Sequence, residues 1–385
     1  MLDRAIKGGP KYWGWLIFLL VIMATGLACY LYQFKVGLKI TGMSRDVSWG
    51  LYISQLTYLV GIAAGGVMVA LPCYLHDYKA FARITVLGEG LAVAAILMCL
   101  LFVMVDLGQI VRLVNIIIYP HPRSILFWDM IVLNVYMFLN LLIGWNVMAA
   151  ERKGIHYQKW VKVLIYISIP WAFTIHTVTA FLYAGLPGRH FWLTAIMAPR
   201  FLASAFCSGP ALLLLICIIV RKTTNFDPGK KQMRMLGGII AYAFILNIFF
   251  FLMEVFTAFY SQIPGHMHTL VYLFAGLDGY GRLVPWMWTF AAVSVVALVL
   301  LIVPATRRKE DTLIVACIAV IIATWIDKGL GLVIGGFIPN PFDRIFEYWP
   351  TTPEILITLG VWATGFFVLT VLFKMAISIK EEVAA

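Results

Sequence analysis

Val105-Asp106-Leu107-Gly108-Gln109-Ile110-Val111-Arg112 joins two long apolar runs, and Tyr119-Pro120-His121-Pro122-Arg123-Ser124 and Trp128-Asp129 follow it. Each flanking run is long enough to cross a hydrocarbon layer of about 30 Å as a helix rising about 1.5 Å per residue. The same pattern, an apolar run and then a short polar connection, repeats along all 385 residues. Hydrophobic residues make up 62% of the chain and charged residues 12%, with a mean hydropathy of +0.93. A soluble domain is about half apolar and about a quarter charged. The chain therefore reads as an all-α polytopic membrane protein, because lipid offers no partners to an open backbone and only helices close their own hydrogen bonds.

Ten spans are expected, at about 12–32, 49–74, 85–111, 124–148, 160–183, 199–220, 236–260, 285–304, 313–337 and 352–374, forming one integral membrane unit over residues 1–385. No connection is long enough to hold a soluble core of its own. The second span carries Gly61-x-x-x-Gly65, a small-residue pattern for close helix packing. The basic start, Met1 to Lys11, followed by a run longer than a signal-peptide core, reads as a retained anchor.

The net charge is +11, but the basic residues lie between apolar runs instead of clustering on a soluble face, so a nucleic-acid partner is not expected. They report topology. Of the 29 Lys and Arg, nineteen fall in segments on the N-terminal side of the ten spans, nine in the opposite connections and one, Lys328, inside a span. The positive-inside rule then puts both termini in the cytoplasm of a multi-pass cell-membrane protein.

Orientation converts the sequence into depth. Asp106, Asp129, His176, Glu254 and Asp327 fall in the outer half; Glu89 falls near the inner face, about 25 Å below Asp106. Helical spacing predicts three polar stripes: Asp129, Tyr136 and Asn140; His176, Thr179 and Tyr183; and Asn247, Glu254, Thr257 and Ser261. Ionisable groups at such depth are costly and mark functional sites. Each also has a plainer reading: a boundary aspartate at a helix end, a core histidine bonded to a carbonyl, a snorkelling Glu89, or an Asp327–Lys328 structural ion pair.

Missing ligands narrow the chemistry. The six cysteines lie inside apolar runs without a Cys-x-x-Cys spacing, and no metal site is expected. Of seven histidines (His76, His121, His156, His176, His190, His266 and His268), only His176 lies well inside a span, so no bis-histidine haem is expected. There is neither a phosphate-binding glycine loop nor a readable nucleophile–base pair. The chain holds buried proton carriers and no ligand set for an electron carrier.

Ser48-Trp49-Gly50-Leu51, Asp106-Leu107-Gly108, Arg189-His190-Phe191-Trp192 and Ala198-Pro199-Arg200-Phe201-Leu202-Ala203-Ser204-Ala205-Phe206 together resemble the NrfD/polysulfide-reductase (PsrC) membrane-subunit family over most of the chain. Within it the chain is most similar to the P subunit, DsrP, of the DsrMKJOP complex of sulfate reducers, or to the membrane subunits of the related Hme and Hmc complexes. That family often continues Asp-Leu-Gly with Arg-Pro; here Gln109-Ile110 follow, with Arg112 further on.

The resemblance implies NrfD-like helical bundles and a menaquinone-interacting subunit of a respiratory complex without haem or iron–sulfur cluster of its own. It implies electron exchange with an extracytoplasmic ferredoxin-like iron–sulfur subunit. The further partners it implies are a membrane cytochrome b, a multihaem cytochrome c and cytoplasmic heterodisulfide-reductase-like subunits. On this reading Asp129, His176 and Asp106 are the catalytic candidates, and Asp129, His176, Tyr136 and Arg112 contact the quinone. Glu89, Glu254 and Asp327 form a proton path. Two other classes fit the same residues: a proton-coupled secondary transporter, for which Pro170 and Gly209-Pro210 supply broken helices, and a purely structural anchor.

Overall fold

In the computed structural model, which describes residues 2–75 and 81–384, the ten expected spans are present as ten helices long and apolar enough to cross a membrane. They are α1 (Pro10–Val36), α2 (Leu51–Cys73), α3 (Ala82–Asp106), α4 (Ile125–Arg152), α5 (Lys159–Ala184), α6 (Met197–Thr223), α7 (Lys230–Tyr260), α8 (Val284–Ile302), α9 (Glu310–Phe337) and α10 (Thr352–Glu382). Among the described residues there is no β-strand, only an isolated bridge between Leu277 and Tyr280. His76 lies outside the described residues.

Proline placement helps set the helix starts. Pro10 and Pro285 sit in the first turns of α1 and α8, where a missing N–H costs nothing. Gly37, at φ 85°, ends α1 in a backbone region that a side chain would strain. The third helix stops at Asp106, short of the expected boundary at 111, because Leu107 turns extended and Ile110–Val114 forms a separate 3₁₀ turn. The ninth is irregular: Glu310–Trp325 is α-helical, Ile326–Ile334 is a π-helix, and Gly335–Phe337 is a 3₁₀ turn.

The helices pack as two four-helix groups, α2–α5 and α6–α9, with α1 and α10 paired against α3 and α4. The groups meet along α2 and α5 on one side and α6 and α9 on the other. Packing explains which helix is central. The first half of α2, Leu51–Ala63, buries all but two of its thirteen residues, whereas α1 buries only Leu16, Leu19, Gly26 and Gln33. A helix that is apolar and buried all round belongs to the middle of a bundle.

The expected small-residue contact is at this interface. A methyl group on Gly209 of α6 would stand 2.5 Å from the Gly65 nitrogen of α2. Nothing larger than glycine permits that approach, and lipid-facing helices associate mainly through such close packing.

Both termini lie on one face, tied by an Arg4 Nη1 hydrogen bond to the Ser378 carbonyl (2.8 Å) and an Arg4–Glu382 ion pair. We call it the terminal face and its opposite the far face. Exposed Trp13, Trp15 and Trp160 ring the terminal side, and exposed Trp128, Trp288 and Trp349 the far side. Two tryptophan belts are what a pair of membrane–water interfaces selects. The short helix Pro264–Phe274 caps the far side of the second group.

Candidate functional site

The polar groups fall into two interiors, one per helix group. In the first, the stripes predicted on α4 and α5 are both buried: Asp129, Tyr136 and Asn140 on one helix, His176, Thr179 and Tyr183 on the other. The stripes face each other. Thr179 Oγ1 donates to Asp129 Oδ1 at 2.6 Å, and Tyr183 bonds to Thr57 of α2. His176 lies one turn deeper than Thr179 on the same face; it is 0% exposed, and neither ring nitrogen has a hydrogen-bond partner among the described residues. Such atoms are rare in a folded protein and mark a place for solvent or a ligand. Above them, Trp49, Tyr183, Trp192 and Phe337 form an aromatic cluster with ring centroids 5.1–5.9 Å apart. Trp192 Nε1 donates to the Leu332 carbonyl at 2.8 Å, and the Arg189 guanidinium lies 4.4 Å from the Phe337 ring centre.

The same interior continues toward the terminal face. Glu89 is buried with Oε2 unpartnered, and a methyl group on Gly144 of α4 would stand 3.2 Å from that oxygen. A cleft of about 40 Å³, room for a water molecule, is lined by Glu89, Asn140, Gly144 and Trp145. Beyond it, on the terminal face, is a cavity of about 470 Å³ whose lining includes Arg83, Glu151, Phe226, Asp227, Lys380 and Glu381.

The second interior holds a buried ion cluster. Arg200 of α6, 1% exposed, bonds through Nη1 to Glu254 of α7 and through Nη2 to Asp327 of α9. The expected Asp327–Lys328 ion pair is therefore replaced by an Asp327–Arg200 pair. The Lys328 ammonium instead lies 3.2 Å from the centre of the Phe201 ring and has no hydrogen-bond partner among the described residues. By sequence Arg200 counts among the far-side loop cations; its position in the first turn of an amphipathic run is the signal that could have placed it inside. The third predicted stripe only half holds: Asn247 and Glu254 are buried, but Thr257 and Ser261 are exposed.

Asp106 lies at the far end of α3, and no hydrogen bond among the described residues joins it to either interior. Its Oδ1 is buried and unpartnered at the end of α3, near Gln33, which bonds to the Val105 carbonyl (2.6 Å) and accepts from Tyr52 (2.8 Å). Arg112 is exposed on the separate 3₁₀ turn, and among the described residues no ion pair joins it to Asp106. Sequence reasoning missed Glu354, an acid in the first turn of α10. It is 0% exposed and accepts from Gly42 N (2.7 Å), Thr351 N (2.8 Å) and Tyr348 (2.7 Å). Burial and this carboxylate push the Tyr348 phenol up, which keeps it a donor. Glu354 ties the far-side loops to α10.

Among the described residues no three His, Cys, Asp or Glu side chains gather in a metal-binding group. His176, Asp129 and the acids below and beside them are groups that can take up and release protons.

The family model for "Polysulphide reductase, NrfD" matches residues 39–338. A putative membrane subunit of dimethyl sulfoxide reductase from Halobacterium salinarum is 26% identical over 91% of this chain and 88% of its own length. An Hdr-like menaquinol oxidoreductase integral membrane subunit of Archaeoglobus fulgidus is 25% identical over 65% of this chain and 62% of its own. A menaquinone reductase integral membrane subunit of Nitratidesulfovibrio vulgaris is 22% identical over 94% of this chain and 91% of its own. The chain is a multi-pass integral membrane protein and belongs to the NrfD polysulphide reductase family.

Proposed function

We propose that this chain is the menaquinol-reactive membrane subunit of a respiratory redox complex, with its reacting head group held in the first interior beside His176 and Asp129. The observation that carries this reading is His176: fully buried, with both ring nitrogens unpartnered, on the face that also presents Thr179 to Asp129. The relatives named for menaquinol or menaquinone turnover support the substrate class. Quinol oxidation supplies two electrons and two protons.

The chain's residues deal with the protons. A neutral imidazole nitrogen of His176 accepts a hydrogen bond and then the proton from a quinol hydroxyl. Asp129, oriented by the Thr179 hydroxyl, takes the second. Tyr136 and Asn140 continue the polar line along α4 toward Glu89, some 22 Å from Asp129 to the level of Gly144 at a helix rise of about 1.5 Å per residue. Asp106 and Arg112 remain candidates for the mouth of the site, and Glu254 and Asp327 for a second proton branch. The aromatic cluster around Trp49 and Trp192 excludes water from above.

We also propose that the terminal face is cytoplasmic. With Arg200 buried, the far-side loops keep eight cations against nineteen on the terminal side. The far face would then meet an extracytoplasmic iron–sulfur subunit of ferredoxin type, and the complex would carry cytochrome b, multihaem cytochrome c and heterodisulfide-reductase-like partners of a DsrMKJOP-like, sulfur-metabolising assembly.

The irregular α9, π-helical where it carries two buried charges, keeps a proton-coupled transporter as the second reading. One experiment separates them. The complex is isolated through a tag on this chain; bound quinone is extracted and co-purifying subunits are identified by mass. Menaquinone together with iron–sulfur subunits supports the proposal. A chain that purifies alone and quinone-free supports the transporter.

A further inference from the structure

Phe342 stands at the tip of the connection between α9 and α10, and at 81% it is the most exposed large apolar side chain among the described residues. The loop that carries it is built around a buried side chain. Asn340, 6% exposed, accepts through Oδ1 from the Phe342 and Arg344 amides at 3.0 and 2.9 Å. Its own amide donates to the Arg344 carbonyl at 2.9 Å, and the Asp343 amide donates to the Asn340 carbonyl at 2.9 Å. Asp343 is at φ 55°, a left-handed conformation uncommon outside glycine. Such a conformation persists where the surroundings over-determine it, and it gathers at functional sites.

The surroundings here are three other far-side connections. Asn340 Nδ2 donates to Asp46 Oδ1 at 2.8 Å in the connection between α1 and α2. Arg189, between α5 and α6, donates to the Asp46 and Phe337 carbonyls at 3.1 Å each. Thr269, in the short helix between α7 and α8, donates to the Ile338 carbonyl at 2.9 Å. A loop held from three sides by connections of both helix groups lies over the middle of the bundle and not at its lipid edge. Phe337, where α9 ends, belongs to the aromatic cluster with Trp49 and Trp192 that roofs the first interior.

These facts fit a protein partner. An aromatic side chain on a pre-formed loop loses little conformational freedom on binding, and buried aromatic anchors dominate the energy of protein interfaces. Charge sets the partner's sign. Seven Lys and Arg side chains are exposed on the far face, Arg45 and Arg344 among them, against two exposed acids, Asp278 and Asp343. The complementary surface is acidic.

We propose that loop 340–344 is the docking post for a water-soluble subunit, which seats Phe342 in an apolar pocket rimmed by carboxylates. The proposal rests on the reading that the far face meets an iron–sulfur subunit, and it names where that subunit sits: above the aromatic roof of the first interior. Asn340 holds the loop in its docking shape. Phe342 anchors the partner and takes no part in the chemistry, and Arg344 meets the acidic rim.

The test uses the intact complex, isolated through a tag on this chain. In the first arm Phe342→p-benzoylphenylalanine is illuminated in native membranes. The expected product is a covalent adduct with the co-purifying subunit that carries iron–sulfur absorbance, identified by mass. In the second arm that subunit is stripped with salt and added back. Phe342→Ser is expected to raise the dissociation constant for rebinding about thirtyfold, the loss of one interface anchor. The thermal midpoint of the chain should not change, because the side chain is exposed. Arg344→Glu is expected to slow rebinding at low salt and to match wild type at high salt. Adducts with phospholipid alone would place the loop against the membrane and overturn the proposal. So would Phe342→Ser rebinding the subunit as tightly as wild type, which leaves the functional reading standing. A wild-type complex that holds no iron–sulfur subunit would remove that reading, and the docking post with it.

Discussion

Thr179 Oγ1 donates to Asp129 Oδ1 at 2.6 Å, joining α5 to α4 inside the first helix group. The bond fixes one carboxylate oxygen and leaves the other free to work. His176 is one turn away on the same face, so the hydroxyl sets the distance between the two proposed proton acceptors.

Thr179→Val keeps the shape and removes the donor. Losing one hydrogen bond to a buried carboxylate costs about 1–3 kcal/mol, and menadiol oxidation by the complex is expected to fall about tenfold or more. Assembly, followed by co-purification of partner subunits, should persist. Unchanged turnover would take Asp129 out of the reacting site.

Arg200 carries two carboxylates, so its removal leaves both uncompensated in the membrane. Arg200→Met is expected to destabilise the chain by about 3–5 kcal/mol. In detergent this reads as a lower thermal midpoint. The triple variant Arg200→Met/Glu254→Gln/Asp327→Asn removes the stranded charges and should recover much of the loss. A single variant as stable as wild type would mean that solvent, not Arg200, neutralises the acids.

Gly209→Ala places a methyl group 2.5 Å from the Gly65 nitrogen, which is backbone and cannot rotate away. The two helix groups must separate there. Overpacking of this kind costs about 1–3 kcal/mol. The thermal midpoint should drop, and Gly14→Ala, where a methyl group meets nothing within 4 Å, should leave it in place.

On the far face, burial and the neighbouring His190 hold His266 below the usual histidine range. The opened state titrates near the ordinary value of about 6.5 and binds more protons than the folded one below it. The fold of Pro264–Phe274 should therefore be fully stable above that value and loosen as pH falls through it. Hydrogen exchange of this helix, corrected for intrinsic chemistry, should rise between about pH 7.5 and pH 5. His190→Ala should reduce the rise. Exchange independent of pH across that window would contradict the assignment.

Much was legible in the chain itself. Apolar runs of spanning length fix an all-helical membrane fold with ten crossings, since lipid leaves the backbone no alternative. Helical periodicity placed Asp129, Tyr136 and Asn140 on one buried face and His176, Thr179 and Tyr183 on another. Periodicity works there because it is a property of one helix.

Partnership is a property of several helices at once, and only the tertiary structure decided it. Asp327 and Lys328 are adjacent in sequence and read as a pair, yet a π-helical turn sends one to Arg200 and the other over Phe201. Thr257 and Ser261 share a periodic stripe with Glu254 but are exposed, because no neighbouring element covers that end of the stripe. Arg200 counted as a loop cation, and Glu354 drew no notice, until loops and neighbouring helices closed over them. Sequence sets what each helix can bury; the packing of helices against one another, as close as Gly65 against Gly209, sets what each buried group meets.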